Sequence, residues 1–300
     1  MRGSKEKDIT QKALEMYNDV FADIINVLLF NGESVVTEDS LTDVLQESIL
    51  KIDGRIRAQY RDIAKYWYNS KIKLSMFGLE NQTKPEKRMP LRVFGYDGTE
   101  YVKQAKKENN KEVLYPVITL VLYFGYNSRW NQPKSLFELL EIDERIKPYV
   151  NDFKINLFEI AYLDREKIDM FKSDFWILAD YLYQMRVNKD YVASDTVIEH
   201  VDELLMLMSA MTKDYRFEET INEVKGKEHV TMCEVLDRVE ARGMEKGMEK
   251  GIAKGREEGI KEGTVQVLIS LVKDGILSIS DAAKRAGMSE ESFRRYLEQC

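Results

Sequence analysis

The stretch VITLVLYF at Val117–Phe124 constrains the fold of this chain more than any other part of its sequence. It is short, rich in β-branched and aromatic residues, almost without polar side chains, and bounded by Pro116 and Gly125. Such a run is typical of a strand that is buried on both faces, because a half-exposed strand would alternate apolar with polar residues. The sequence therefore predicts a sheet with Val117–Phe124 at its centre.

Helical and strand patterns both occur in the rest of the chain. Apolar residues at spacings of three and four predict a helix from Asp8 to Phe30, ended by Asn31-Gly32. The other predicted elements are strands at Ala58–Tyr68, Ile72–Gln82 and Asn156–Leu163, a helical segment from Pro85 to Lys107 interrupted near Gly95–Gly98, and helical spacing from Lys172 to Met211. This mixture predicts an α/β (α+β) fold with a helical C-terminal half.

The charge of the chain is unevenly distributed, which bears on its partner. The formal net charge of −7 by itself argues against nucleic acid. The window Lys51–Lys111, however, holds 15 Lys/Arg and 7 Asp/Glu, so it carries +8 and the remainder carries −15. A basic island in an acidic protein indicates a DNA-binding surface, and a merely solvated charged face is the alternative.

Two carboxylates in this island are spaced so that a hairpin would bring them together. Asp62 and Glu80 are each nine residues from Lys71, the centre of the predicted turn. Residues opposite one another in an antiparallel pair have Cβ atoms about 5 Å apart, and carboxylates that close repel unless a cation lies between them. Gln82 shares the face of Glu80, because side chains two residues apart on a strand point the same way. We interpret the carboxylates as ligands of Mg²⁺ or Mn²⁺; surface charges on an edge strand are the alternative.

Two longer stretches resemble the Rpn-type, PD-(D/E)xK nuclease family of recombination-promoting transposases. They are GLENQTKPEKRMPLRVFGYDGTEYVKQ at Gly78–Gln104 and YPVITLVLYFGYNSRWNQPKSLFELL at Tyr115–Leu140. In that family an apolar strand ending in Tyr-x-Gly is followed by Trp and Pro, which here are Tyr123, Gly125, Trp130 and Pro133. The resemblance covers roughly residues 17–163 and the glycine-rich tail.

The resemblance implies a restriction-endonuclease-like core of αβββαβ order. Asp62 in QYRDIA and Glu80 would be its metal ligands, and Asp19 in YNDVFADIINVLLF is a further candidate ligand. Gln82 stands where the wider superfold has lysine, and glutamine carries no charge. The nearby residues expected to contact DNA and to supply this charge are Lys84, Lys87, Arg88 and Arg92.

The function implied by the resemblance is a DNA endonuclease that uses Mg²⁺ or Mn²⁺ and promotes recombination or mobile-element transfer. Asp62, Glu80 and Gln82 would be its catalytic residues. Because Gln82 replaces the lysine of the superfold, the alternative is a nuclease fold that binds DNA as a regulatory module with weak or no turnover.

Glycine recurs at every fourth position from Gly243 to Gly263. Each glycine weakens a helix by about 1 kcal/mol relative to alanine, yet this period keeps the glycines near one side, where a second helix can approach. The segment is therefore either a helix or a linker, and a helix predicts a homodimer or higher homo-oligomer formed through the tail. The predicted division is a nuclease-like core at 8–165, a helical extension at 166–240, the glycine segment at 241–263 and a small hairpin with helix-turn-helix-like spacing at 264–300.

The remaining features predict a cytoplasmic protein. Cys233 and Cys300 fit no zinc or disulfide framework, which indicates a reducing compartment. The segment Met1–Thr10 is polar and does not resemble a signal peptide. The longest apolar runs are shorter than a membrane span, so no membrane partner is expected.

Overall fold

The computed structural model describes residues 14–44, 47–52, 55–60, 62–70, 72–106, 114–212 and 214–299. Residues 8–13 of the predicted first helix, and Lys71 at the centre of the predicted turn, lie outside these ranges. The chain divides into two compact units, Met1–Leu236 and Asp237–Cys300. Within the described residues, no helix is long and apolar enough to cross a membrane.

The first unit is built on a mixed five-stranded sheet of order β1-β4-β5-β6-β7. Strands β1, β4 and β5 are antiparallel neighbours, whereas β5, β6 and β7 run parallel, and β2 and β3 form a separate antiparallel pair. The elements are, in chain order, α1 (Asn18–Phe30), β1 (Leu41–Asp43), β2 (Glu47–Ile52), β3 (Arg55–Tyr60), β4 (Ile63–Asn69), β5 (Ile72–Gln82), α2 (Met89–Lys106), β6 (Val117–Tyr123), α3 (Leu136–Leu139) and β7 (Asn156–Glu159). The predicted mixed α/β class is confirmed.

Strand β6 lies between β5 and β7, as its unbroken apolar sequence predicts. Every residue of the strand except the half-buried Ile118 is buried. The Tyr-x-Gly motif that follows has a steric cause, because a Cβ atom at Gly125 would overlap the ring and hydroxyl of Tyr123. The Tyr123 hydroxyl donates a hydrogen bond to the backbone oxygen of Ser128 at 3.0 Å, so the motif fixes the loop after the strand.

Helix α1 ends where its sequence predicts. Asn31 and Gly32 have φ values of 52° and 84°, in the left-handed region that glycine and asparagine tolerate best. The described part of this helix is interrupted, which the sequence did not predict: Leu14 and Glu15 are helical, the chain turns at Met16, and α1 begins at Asn18. The buried Lys65 of β4 stabilises this turn: its Nζ donates to the Met16 oxygen and to Asn18 Oδ1, both at 2.8 Å.

Two further expectations differ from the structure. The predicted strand Ala58–Tyr68 is two strands, because β3 pairs with β2 whereas β4 pairs with β1 and β5, so the chain changes sheet near Asp62. The predicted interruption near Gly95–Gly98 is wrong, since α2 is continuous from Met89 to Lys106. The face that α2 buries against the sheet outweighs the cost of two glycines, and its buried members are Met89, Pro90, Val93, Tyr96, Asp97, Glu100 and Gln104.

The rest of the first unit is helical. The further helices are α4 (Arg165–Ile168), α5 (Phe175–Val187), α6 (Val201–Thr212), α7 (Arg216–Val224) and the first turn of α8 (Met232–Lys273). Apolar side chains at helical spacing on α5 and α6 are buried, including Leu178, Leu182, Leu204 and Met208. The helical spacing predicted from Lys172 to Met211 is therefore confirmed for two helices, α5 and α6, but residues 188–200 between them are not helical.

In the second unit, α8 continues through the whole glycine segment, so this segment is a helix rather than a linker. The last helices are α9 (Ile279–Arg285) and α10 (Glu290–Gln299), separated by a turn in which Gly287 has a φ of 68°. They pack on α8 through a small apolar cluster that contains Leu268, Ile269, Ala282, Ala283 and Phe293. This hairpin therefore has its own core.

Candidate active site

The β4–β5 hairpin brings Asp62 beside Glu80. Ile63 pairs with Leu79 in the antiparallel hairpin. Asp62 precedes Ile63 and Glu80 follows Leu79, so Asp62 and Glu80 lie opposite one another. Asp62 Oδ2 accepts a hydrogen bond from the backbone N–H of Asn81 at 2.8 Å, which ties the Asp62 carboxylate to the end of β5. This register is the one expected from a turn centred near Lys71.

Glu80 and Gln82 share one face of β5, as strand alternation predicts. Glu80 is fully buried, and its Oε1 accepts a hydrogen bond from Gln82 Nε2 at 3.3 Å. The three residues that the sequence selected as catalytic, Asp62, Glu80 and Gln82, are thus gathered at the end of one hairpin.

Arg92 joins the cluster of Asp62, Glu80 and Gln82, which we call the carboxylate pocket. Its Nη2 donates to Glu80 Oε1 and its Nη1 donates to Glu86 Oε2 at 2.6 Å. Nη2 also donates to the hydroxyl of Tyr96, one helical turn further on, at 3.2 Å. The sequence grouped Arg92 with the DNA-contacting residues; in the structure its partners are the carboxylates of Glu80 and Glu86.

The electrostatics of the pocket keep Arg92 charged. Burial lowers the pKa of the guanidinium, but the Glu80 carboxylate raises it, and the resulting pKa is above the ordinary arginine value. Burial, followed by the negative charge of Glu80, raises the pKa of Tyr96, so its hydroxyl stays neutral and accepts from Arg92. Glu80 is therefore a buried carboxylate that lies against a neighbouring cation.

Glu15 is a member of the site that the sequence did not reveal. It is buried, and its Oε2 accepts a hydrogen bond from Asn81 Nδ2 at 2.6 Å. Asn81 points to the face of β5 opposite Glu80, and its backbone N–H holds Asp62, so Glu15 supports the site through Asn81. The one available signal was a carboxylate beside the buried Leu14 in the first helical segment.

Asp19, the further ligand candidate, lies in a different cluster. Its Oδ2 is 3.0 Å from Nε2 of His200, whose ring stacks on Tyr17 with centroids 3.7 Å apart. Asp19, Glu199 and His200 present ligand atoms within 4.8 Å of one another. From the N-terminal segment, the residue that contacts the hairpin end is Glu15 rather than Asp19.

The remaining basic candidates face solvent. Lys84, Lys87 and Arg88 are exposed and lie in the connection between β5 and α2, directly after Gln82. Their charged groups are therefore accessible to a large anionic partner next to the carboxylate pocket.

Asp62 and Glu80 are the residues that could hold a divalent ion of the Mg²⁺ or Mn²⁺ type. Asp62 and Glu80 offer carboxylate oxygens on adjacent strands, and hard cations prefer oxygen ligands. Arg92 already places positive charge against the buried Glu80 at Oε1, so a metal ion would share this carboxylate with the guanidinium.

The fold and pocket thus define a mixed α/β protein with clustered carboxylates beside an exposed basic segment. The model of the family described as "Putative transposase, YhgA-like" matches residues 40–216. Because this match covers more than half of the chain, the protein belongs to that family, and the resemblance to transposase-like proteins is confirmed. No curated protein and no solved structure matches the chain.

The matched range contains most of the site. It includes Asp62, Glu80, Gln82 and Arg92 and starts after helix α1, so Glu15 and Asp19 lie outside it.

Proposed function

We propose that this protein is a divalent-metal-dependent DNA endonuclease with a PD-(D/E)xK core. The observation that carries the proposal is the juxtaposition of Asp62 and Glu80 at one end of the β4–β5 hairpin, with Gln82 on the same face. Membership of a transposase-like family supports it. The succession of α1, the antiparallel strands β1, β4 and β5, α2 and the parallel strand β6 also agrees with αβββαβ order.

In this proposal the side chains have distinct tasks. Asp62 and Glu80 hold Mg²⁺ or Mn²⁺, which when bound lowers the pKa of the attacking water and stabilises the charge that develops on the phosphate. Gln82 donates from Nε2 and orients that water or a phosphate oxygen. Asn81, held by Glu15, keeps Asp62 in place through its backbone N–H.

The test of this function is the nicking of supercoiled plasmid. The purified chain should nick plasmid in Mg²⁺ or Mn²⁺ and should not do so in EDTA. Equal nicking in EDTA contradicts the metal-dependent mechanism. A well-folded chain that binds plasmid without nicking it favours the regulatory DNA-binding module, for which the neutral Gln82 is the specific observation.

We propose DNA as the partner because the exposed basic connection borders the carboxylate pocket. Lys84, Lys87 and Arg88 would contact phosphates, which positions the duplex without reading its sequence. DNA breaks made at the pocket would then promote recombination or mobile-element transfer in the cytosol.

Neutralising two of these side chains gives a quantitative prediction. Removing one phosphate-binding charge reduces the slope of log affinity against log salt by about one, so Lys87→Gln with Arg88→Gln should flatten the slope by about two. DNA affinity measured between low and moderate salt checks this. Lys189→Gln with Lys225→Gln removes the same charge from exposed positions of the helical half and serves as the matched control. An equal change of slope in both pairs would show that only net charge matters.

We further propose that the tail pairs with a second copy. The glycines of α8 are open on the helix surface, since a Cβ atom added at Gly247, Gly251, Gly255, Gly259 or Gly263 meets nothing within 4 Å. Large apolar side chains that follow several of these glycines are exposed, among them Met244, Met248, Ile252 and Ile260. A glycine stripe beside exposed apolar side chains suits close approach of another helix.

Replacing Gly247, Gly251 and Gly255 by alanine separates helix stability from pairing. Within one chain the substitutions meet nothing and should raise helix stability by up to about 1 kcal/mol each. Between two chains the added methyl groups should block close approach. Light scattering should therefore report a dimer or larger particle for the parent chain and a smaller one for the variant, with unchanged or higher helix content by circular dichroism. Equal particle masses contradict pairing through this stripe.

A further inference from the structure

The guanidinium of Arg92 is held in place from two sides before any substrate arrives. Glu86 accepts from Nη1, and Tyr96, buried on α2, accepts from Nη2. About two thirds of the Arg92 side chain is covered, since 32% of it is exposed. With these anchors, Nη2 meets Oε1 of the fully buried Glu80.

Arg92 and Gln82 converge on the same atom of the site. Gln82 Nε2 donates to Glu80 Oε1 from the strand, and Arg92 Nη2 donates to it from the helix. Gln82 contributes a neutral amide, so Arg92 contributes the positive charge. The hydrogen bonds of the guanidinium also leave capacity, because Nη1 has two N–H groups and, within the described residues, one acceptor, Glu86.

We propose that Arg92 supplies, from helix α2, the positive charge that Gln82 does not supply from strand β5. It holds Glu80 by Oε1, which fixes the orientation of this carboxylate, and its second Nη1–H donates to a non-bridging oxygen of the scissile phosphate. This inference rests on the proposed nuclease function. A guanidinium suits the role because it stays charged when partly buried and carries several N–H donors in one plane.

Moving the charge back to the strand tests the proposal. Arg92→Gln should lower the nicking rate at least 30-fold. Adding Gln82→Lys to Arg92→Gln should raise the nicking rate at least tenfold above that of Arg92→Gln alone. The reason is that residue 82 shares the face of Glu80. Arg145→Gln removes another arginine–carboxylate pair, the exposed one with Asp143, and is the matched control.

A second readout does not depend on activity. Without metal, Arg92→Gln removes the ion pair of Arg92 with the buried Glu80, so the melting temperature should fall below those of wild type and Arg145→Gln. The added Gln82→Lys substitution should raise it again. If Arg92→Gln fails to fold, recovery of a folded double variant is the same readout, and Arg92→Lys, which keeps the charge, should fold and nick faster than Arg92→Gln.

The outcomes distinguish a failure of the proposed nuclease function from a failure of the proposed role of Arg92. An inactive wild type whose melting temperature responds as described overturns the nuclease function but not the place of the Arg92 charge. An active wild type with an equally active Arg92→Gln variant, or a folded double variant that shows no recovery of rate and melting temperature, overturns the role of Arg92.

Discussion

Asp62→Asn and Glu80→Gln are each expected to lower the plasmid nicking rate by two orders of magnitude or more, which corresponds to about 3 kcal/mol of activation barrier. Each substitution keeps the size of the side chain and removes a charged oxygen ligand. Both carboxylates lie at the end of one hairpin, so loss of either should disable the same ion.

Gln82→Ala is expected to be milder, about tenfold, because it removes a neutral hydrogen bond rather than a ligand. Asp143→Asn, on an exposed loop, is the matched control and should nick like wild type. Melting temperatures will show whether the variants are folded. A folded Asp62→Asn variant that nicks at the wild-type rate contradicts the assignment.

Trp130→Ala is expected to destabilise the fold by about 3–5 kcal/mol, the usual cost of truncating a buried aromatic side chain. The Trp130 indole is buried, its ring meets Tyr123 edge-on at 5.5 Å, and Nε1 donates to the backbone oxygen of Gln132 at 2.8 Å. It belongs to the cluster that seats the start of α2, whose other buried members are Met89, Val93, Val121, Tyr123 and Ile155.

Urea unfolding of the Trp130→Ala variant measures this loss. Trp176→Ala is a matched control, because Trp176 is half-buried on α5 and should cost less. A loss below about 1 kcal/mol at Trp130, typical of surface positions, would contradict its place in the core.

Local patterns predicted the parts of the fold that depend on near neighbours in sequence. The unbroken run at Val117–Phe124 needs only burial on both faces to be a central strand, and it is one. The pairs beside the turn are Asn69 with Ile72 and Tyr68 with Lys73, and a register shift between Trp67 and Tyr68 then places Ile63 opposite Leu79. This shifted register is the one that a turn centred near Lys71 gives, so the proximity of Asp62 and Glu80 could be predicted.

Contacts between elements that are distant in sequence could not be predicted from the sequence. The turn at Met16 depends on Lys65, 49 residues away, and the place of Glu15 depends on Asn81, 66 residues away. The sequence placed Arg92 in a group with Lys84, Lys87 and Arg88 and gave no reason to prefer it, whereas the packing of the start of α2 places Arg92 on Glu80. In each case a polar side chain finds its hydrogen-bond partner because distant elements pack against one another. The spacing of residues along one segment does not predict such contacts.

The most direct measurement of the central claim, that Asp62 and Glu80 share one divalent ion, is a calorimetric titration of Mn²⁺ into the metal-free chain. Wild type should bind one high-affinity Mn²⁺ per chain, and both Asp62→Asn and Glu80→Gln should lose this site while the control Asp143→Asn keeps it. If either folded variant binds Mn²⁺ with the stoichiometry and affinity of wild type, the two carboxylates do not form a shared metal site.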